Sequence, residues 1–531
     1  MAFFGKSQTM GVAAIILGAS VLLSRLMGLV RDKVISYYYG AVLESDIYFA
    51  AFVVPDFINY LLAGGYFSIT LIPLLAGYFG DDEADGWRFF SSVLLWMTAV
   101  ICLLTVVAEI FAPELAKVAA PGFTPEATER LAYFLRIIMP AQVFFLAGSC
   151  MTALLYLRRQ FLVPALTPLV YNGLIIGLGL LFIERGMEGF CWGVLAGSFL
   201  GNFLLPLLAA VGGGGLRLKL AVFHRGLGSF VLLALPLMLG QSVVVLDEQL
   251  LRVFGSLAKE GAVSWLNYAR RIMLVPVGVV AQAAGVASYP FLAKLAAEGK
   301  SAEFGESLSS ALRNTLVFLL PLSVWMILAA EPTVQLIFQQ GGFTAADTAV
   351  TSLCLRIMLA VVFCWGVQQL IGRAFYAHKD TLTPSITGTV ASLACVPLYI
   401  WLAKKWGAPG VAVASAFSVA LYTAALTLLW RRRRGRAGLA GVGRTLLKAG
   451  GLCGIATLAA WPCLWLADLF PERVLLGAFV VLAVSGVVFA GVYLLLGRMF
   501  APDMVRPVLE RVGRFVPFLR PAPLPPDSQA P

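Results

Sequence analysis

Long apolar runs, divided by short charged or Gly/Pro-containing links, set the pattern of the chain. A helix that crosses the hydrocarbon core of a bilayer needs roughly 20 apolar residues, and about fourteen such runs can be placed. They begin near Met10, Asp46, Ser91, Leu131, Phe161, Gly189, Ser229, Val263, Ala311, Ala349, Pro384, Gly410, Leu446 and Val474. The links include Gly80-Asp81-Asp82-Glu83 and the run from Gly212 to Gly215. No segment shows the apolar/polar alternation of a membrane barrel strand. The pattern therefore predicts an all-α polytopic membrane protein. The first run follows Lys6 as a signal peptide would, yet continues past Ser20 through Arg25 to Val30. That is longer than a typical signal core, so it is read as a retained helix.

Composition narrows the chemistry. The 531 residues are 60% hydrophobic and 13% charged, against roughly 25% charged in soluble domains, which excludes a water-soluble enzyme. The eight cysteines lie inside apolar runs without CxxC spacing and there are two histidines. Neither a metal site nor a disulfide frame is expected. No Walker A, HExxH, GxSxG or TVGYG-like segment stands out, so no catalytic residues, no cofactor and no channel filter are expected. The net charge of +11 could point to nucleic acid, but its placement points to topology. With the N-terminus inside, roughly 24 Lys/Arg fall in cytoplasmic segments, about 10 outside and about 5 within spans. Both termini are then cytoplasmic. The cluster Arg431 to Arg434 reads as a positive-inside anchor rather than a nucleic-acid site.

The chain also repeats itself at a spacing of about 220 residues. Gly122-Phe123-Thr124 recurs as Gly342-Phe343-Thr344, Leu135-Arg136-Ile137 as Leu355-Arg356-Ile357, Tyr156 as Tyr376, and Leu162-Val163-Pro164 as Leu382-Thr383-Pro384. Val54-Pro55 matches Val275-Pro276 with the offset changed by one. The expected organisation is a six-helix lobe over residues 8–215, a second over 226–435, two further helices over 440–498 and a cytoplasmic tail over 499–531. Six is even, so the two repeats are parallel. Parallel repeats are a transporter signature, with the substrate site expected at the interface between the halves.

Charges inside spans are costly, about 2.5–3.5 kcal/mol for an arginine at mid-helix, and so mark function or structural pairing. On the first helix Ser20, Ser24, Arg25, Gly28, Arg31 and Asp32 share one face, expected to line water. Arg25, Arg31 and Arg271 are candidates to bind an anion in a central cavity, with Asp46 beside them. The alternative is internal pairing of Arg25 or Arg31 with Asp46, and of Arg271 with Asp247 or Glu248. Asp247, Glu248 and Arg270 are further cavity or coupling candidates. Arg136 and Arg356 are expected to hold equivalent helix ends. His224 and His378 are expected in solvated loops, and Asp503 to Arg520 is read as an interfacial helix interrupted by Pro507 and Pro517.

Ser24-Arg25-Leu26-Met27-Gly28-Leu29-Val30-Arg31-Asp32, Tyr39-Gly40-Ala41 and Ser45-Asp46-Ile47-Tyr48-Phe49-Ala50-Ala51-Phe52 resemble the MurJ/MviN family. So do Gly65-Tyr66-Phe67-Ser68, Ala120-Pro121-Gly122-Phe123, Val263-Ser264-Trp265 and Tyr268-Ala269-Arg270-Arg271. The resemblance covers about residues 8 to 430 in order. Members are lipid II flippases of bacterial peptidoglycan synthesis, within the multidrug/oligosaccharidyl-lipid/polysaccharide exporter superfamily. It implies an inner-membrane transporter, not an enzyme, with a cavity for the pyrophosphate and sugar-peptide headgroup of lipid II. A groove along the last two helices would hold the polyprenyl tail.

The family's first-helix arginines fall on Arg25 and Arg31, its second-helix acid on Asp46 and its eighth-helix arginine on Arg271. Asp46 is expected to orient an arginine or help release substrate. Two positions depart from the pattern: Asn59 stands where many members have arginine, and Gly64 where they have an acid. The less charged cavity keeps a second substrate open, another lipid-linked oligosaccharide such as an O-antigen or teichoic-acid precursor. A cation-coupled drug exporter and a scaffold that recruits cell-wall synthesis enzymes are the remaining alternatives. The expected partners are lipid II or a related polyprenyl-pyrophosphate glycan, and membrane lipids.

Overall fold

A computed structural model describes residues 8–63, 66–213, 215–219 and 221–512. Every regular element among them is helical. The first half runs α1 (Met10–Tyr39), α2 (Leu43–Ala50), α3 (Val53–Ala63), α4 (Tyr66–Asp81), α5 (Glu83–Ile110) and α6 (Ala112–Ala119). It continues through α7 (Pro125–Ile138), α8 (Ala141–Leu157), α9 (Leu162–Leu181), α10 (Glu188–Gly197) and α11 (Leu205–Gly212). Then follow α12 (Gly226–Gly255), α13 (Ala262–Pro276), α14 (Ala283–Ala297), α15 (Ser301–Leu328), α16 (Ala330–Phe338), α17 (Ala345–Leu359) and α18 (Val362–Ala377). The last are α19 (Leu382–Ala394), α20 (Val396–Trp406), α21 (Ala408–Arg434), α22 (Val442–Ala460), α23 (Val474–Phe500) and α24 (Pro502–Val512).

Among the described residues ten helices are long and apolar enough to cross a membrane, or eleven if the bent pair α17 and α18 is one span. They coincide with eleven of the fourteen expected runs. The other three are helical but fall outside that test. The first, α1, carries Arg25, Arg31, Asp32 and Lys33; the second is divided into α2, α3 and α4; the seventh, α12, ends in Asp247, Glu248 and Arg252. The break between α2 and α3 falls at Ala51 and Phe52, shortly before Pro55 in the first turn of α3, as proline's constraint on preceding residues favours. Gly64 lies outside the described residues.

The two halves share details of local geometry. Helices α5 and α15 each have 28 residues, and each ends on a residue at φ −94°, ψ 19°, Phe111 and Ala329. A short helix follows in both, then a second pair of helices. The links after α8 and α18 turn through Arg159 at φ 58° and Lys379 at φ 61°, the non-glycine residues with positive φ among those described. Each turn closes with the same bond, Gln160 N–H to Leu155 at 2.9 Å and Asp380 N–H to Phe375 at 3.1 Å. The halves differ in their π segments. The first has a π segment, Ser198–Leu204, between α10 and α11; the second has one, Val277–Gln282, directly after Pro276. Such wide turns occur where a proline or a packing demand interrupts the α ladder.

By packing, the chain divides into two compact units. One comprises Met1–Tyr268, Gln340–Asp347 and Gly388–Val411. Its core joins α4, α5, α8 and α12 through Leu71, Trp87, Phe90, Met151, Leu154 and Phe230. The other comprises Ala269–Gln339, Thr348–Thr387 and Ala412–Pro531. It holds two clusters, one around Phe304, Leu308, Phe375 and Trp430, the other around Cys453, Phe489, Tyr493 and Val505. Val505 and Leu509 seat α24 on the latter, so the first part of the expected interfacial helix is packed on its neighbours. Pro517 lies outside the described residues.

Candidate functional site

The N-terminus of α13 shows what the second-helix acid does locally. A helix leaves its first N–H groups without intrahelical acceptors. Here a carboxylate from another element supplies them: Asp46 accepts from the backbone of Gly261 and of Ser264, both at 2.7 Å, and from the Ser264 hydroxyl at 2.6 Å. That hydroxyl lies 3.0 Å from the hydroxyl of Ser45. Asp46 is 2% exposed and Ser45 and Ser264 are fully buried. The negative charge sits where the helix dipole is positive. Gly261 is at φ +87°, and a Cβ there would come 2.6 Å from the carbonyl of Ala41, so the approach requires glycine. Asp46 thus meets backbone and serine here, where the alternative reading paired it with Arg25 or Arg31.

Other motif residues of the same unit gather at this point. Gly342 donates to the carbonyl of Tyr37 at 2.7 Å. Asp347 accepts from Trp265 Nε1 at 2.9 Å and from the Thr344 backbone and hydroxyl at 2.8 and 2.7 Å. The recurring Gly-Phe-Thr motif is therefore a packed corner against the end of α1.

On α1 part of the polar face, though not Arg25, is buried against protein. Ser20 donates to the Ala165 carbonyl of α9, and Ser20, Asp32 and Ser36 are buried. Leu22, Leu23, Leu26 and Val30 point outward with 48–62% exposure, as a lipid-facing side should. Arg31 is 14% exposed and pairs with Asp32 through Nε at 3.1 Å and Nη2 at 3.0 Å, while Nη1 reaches Asn172 at 3.4 Å. Arg25 is exposed.

A third group joins α3 and α12. Arg252, absent from the candidates, is 7% exposed and bridges Asp56 and Glu248, each at 2.7 Å. The signal available in the sequence was the i, i+4 spacing of Glu248 and Arg252; Asp56 lies too far along the chain to be paired by pattern. Asn59 donates to Gln142 on α8 at 3.0 Å. Asp247 is buried and accepts from the Tyr399 hydroxyl at 3.2 Å. In the other unit Arg270 is buried with its guanidinium 5.9 Å from the Trp365 ring, and Arg271 is partly buried.

Both histidines depart from expectation. The His224 side chain is 6% exposed, 3.2 Å from Asp85 and edge-on to Tyr78. His378 bonds to the Ala374 carbonyl and packs on Phe304 and Trp430. Aromatic rings, not a motif, pack against both of them. Arg136 and Arg356 do meet the preceding helices, at the Glu109 carbonyl and the Glu331 carboxylate respectively. No group of three or more His, Cys, Asp or Glu able to hold a metal occurs among the described residues.

Residues 35–485 match the family profile described as Lipid II flippase MurJ. A probable lipid II flippase MurJ of Buchnera aphidicola is 29% identical, over 68% of this chain and 72% of that protein. One of Haemophilus influenzae is 28% identical over 75% and 82%, and the Lipid II flippase MurJ of Thermosipho africanus 28% over 76% and 82%. A solved structure of Lipid II flippase MurJ in an inward closed conformation superposes with a TM-score of 0.76, at 25% identity, covering 93% of this chain and all of that one. An inward-facing multidrug MATE transporter of the MOP superfamily, at 17% identity and a TM-score of 0.65 over 81% and 99%, shares the fold. With most of its length matched by that profile, the chain belongs to the MurJ family of lipid II flippases.

Proposed function

We propose that this multi-pass inner-membrane protein carries lipid II, an undecaprenyl-pyrophosphate-linked peptidoglycan precursor, from the cytoplasmic to the outer leaflet by alternating access. Beyond family membership, one observation carries the reading. Arg31 sits in a long hydrophobic helix with its guanidinium held by Asp32 and Asn172, a costly arrangement unless the charge is used. A guanidinium fork donates to two phosphate oxygens at once. Arg25, Arg31 and Arg271 are each assigned to pyrophosphate, with Asp32 as the carboxylate that phosphate displaces at Arg31. Asp46 is assigned a gating part, because the helix it caps carries Arg271.

The lobes over residues 8–215 and 226–435 serve as the two repeats. The helices over 440–498 offer the polyprenyl chain an open face, where a Cβ added at Gly450, Gly451 or Gly454 of α22 would meet nothing within 4 Å. The distribution of basic residues sets both termini in the cytoplasm.

Replacement of the native flippase in a depletion strain tests the reading. Growth, together with lipid II exchange in vesicles, supports it. An inserted protein that neither restores growth nor exchanges lipid II, yet exchanges another lipid-linked oligosaccharide, favours the second substrate class that the neutral Asn59–Gln142 pair suggests.

A further inference from the structure

A slot of about 680 Å³ opens between α8, α9 and α10, well within the first unit. Its walls are Phe144, Leu178, Phe182, Trp192, Leu195 and Phe199, and Arg185 stands at its rim. The volume lies in the range filled by one small ligand, roughly 300–1,000 Å³, which suits a single acyl chain better than a long polyprenyl. The wall has a structural cause. The π segment Ser198–Leu204 widens the helix and sets Phe199 and Phe203 5.1 and 5.9 Å from Phe144. Gly148 lets α8 lie against the carbonyl of Asn202 in that segment, where a Cβ would collide.

The rim carries the chemistry of a headgroup. Arg185 and Glu184 form the short turn joining α9 to α10, at the end of two membrane-crossing helices. Trp192, one turn below, donates to Glu188 at 3.1 Å, the boundary position that tryptophan favours in membranes. The Arg185 guanidinium lies 5.5 Å from the Phe182 ring and has no carboxylate partner among the described residues. Its edge donors remain to be met. Glu184, the residue before it in the turn, is exposed, so the turn carries one negative and one positive charge and is not a net positive patch.

We propose that this slot binds one phospholipid with an ethanolamine headgroup. Its phosphate lies on Arg185, its ammonium on Glu184, and one acyl chain runs between Phe144, Trp192 and Phe199. A purely anionic headgroup would meet Arg185 but be opposed by Glu184 and Glu188, and a choline headgroup has no N–H to donate. The site does not depend on which glycan the protein transports.

The full chain, purified in detergent and stripped of lipid, is titrated with phosphatidylethanolamine, phosphatidylglycerol and phosphatidylcholine. Melting temperature and bound lipid by native mass spectrometry are followed. One retained phosphatidylethanolamine is expected, with stabilisation at least threefold tighter in midpoint than for the other two. Arg185→Gln should abolish the retained lipid, and Glu184→Gln should erase the preference without abolishing binding, both with unchanged lipid-free melting. Equal response to all three lipids, or undiminished retention by R185Q, overturns the proposal. Phe199→Trp, which fills the slot without touching the rim, should also lower retention; no change there overturns the placement of the chain.

Discussion

Asp46 holds Ser264 twice, by its backbone N–H at 2.7 Å and its hydroxyl at 2.6 Å. One carboxylate thus fixes both the first turn of α13 and the serine that faces Ser45. Loss of a helix cap costs about 0.5–2 kcal/mol, and a hydrogen bond to a charged group contributes about 1.5–3 kcal/mol. Asp46→Ala is therefore expected to favour separation of the two elements by about 2–4 kcal/mol. Asp46→Asn, which keeps one acceptor oxygen, should do so less. Ser45→Cys is the reporter: the position is fully buried, and its labelling rate in membranes should rise at least tenfold with Asp46→Ala. An unchanged rate would show that the cap does not govern opening.

At Arg31 structure and transport can be separated. Removing the guanidinium takes the Arg31 ion pair away from the fully buried carboxylate of Asp32, and breaking a buried pair costs up to about 3–5 kcal/mol. Arg31→Ala should therefore lower the melting temperature as well as transport. Adding Asp32→Asn should restore much of the stability, because the buried negative charge is gone. Lipid II exchange should remain at least tenfold reduced. Recovery of exchange in that double variant would reduce Arg31 to a structural partner of Asp32.

The Arg252 bridge yields a purely structural expectation. Asp56 and Glu248 are about a third exposed, at 31% and 29%, so water screens them and the full buried-pair value does not apply. Arg252→Met is expected to destabilise by about 1–2 kcal/mol. Glu248→Gln alone should cost less, since Asp56 still holds the guanidinium. Thermal unfolding of the three proteins in one detergent checks the order; an Arg252→Met protein as stable as the parent would remove the bridge from the fold's support.

Why some of this was legible and some not follows from the range of each interaction. Spans and repeat are properties of local pattern, so apolar runs located α5, α9 and α23, and the shared Gly-Phe-Thr motif located matching corners. Arg31 was conspicuous because it interrupts such a run. What Asp46 touches was not legible, since Gly261 and Ser264 come to it only once α12 has crossed the unit. The same holds for Arg252 with Asp56. The polar face of α1 looked like a water-facing stripe, but Ser20 finds its acceptor in a carbonyl of α9, a partner that no side-chain pattern announces. His224 is buried for the same reason, by Tyr78 and Phe89 from another part of the chain.

Arg159 and Lys379 offer a test of the repeat that involves no transport. Both are exposed and both turn with positive φ, at 58° and 61°, a conformation that costs an L-residue roughly 1–2 kcal/mol relative to the right-handed region. Glycine removes that strain but adds freedom to the unfolded chain, which offsets part of the gain. Arg159→Gly and Lys379→Gly should each change stability by less than about 1 kcal/mol, in the same direction. A β-branched residue tolerates positive φ poorly, so Arg159→Val and Lys379→Val should both lower the melting temperature, and by similar amounts. Calorimetry or scanning fluorimetry in detergent measures all four. Opposite signs at the two sites for the same substitution would mean that the turns, though alike in angle, are not equivalent parts of a duplicated lobe.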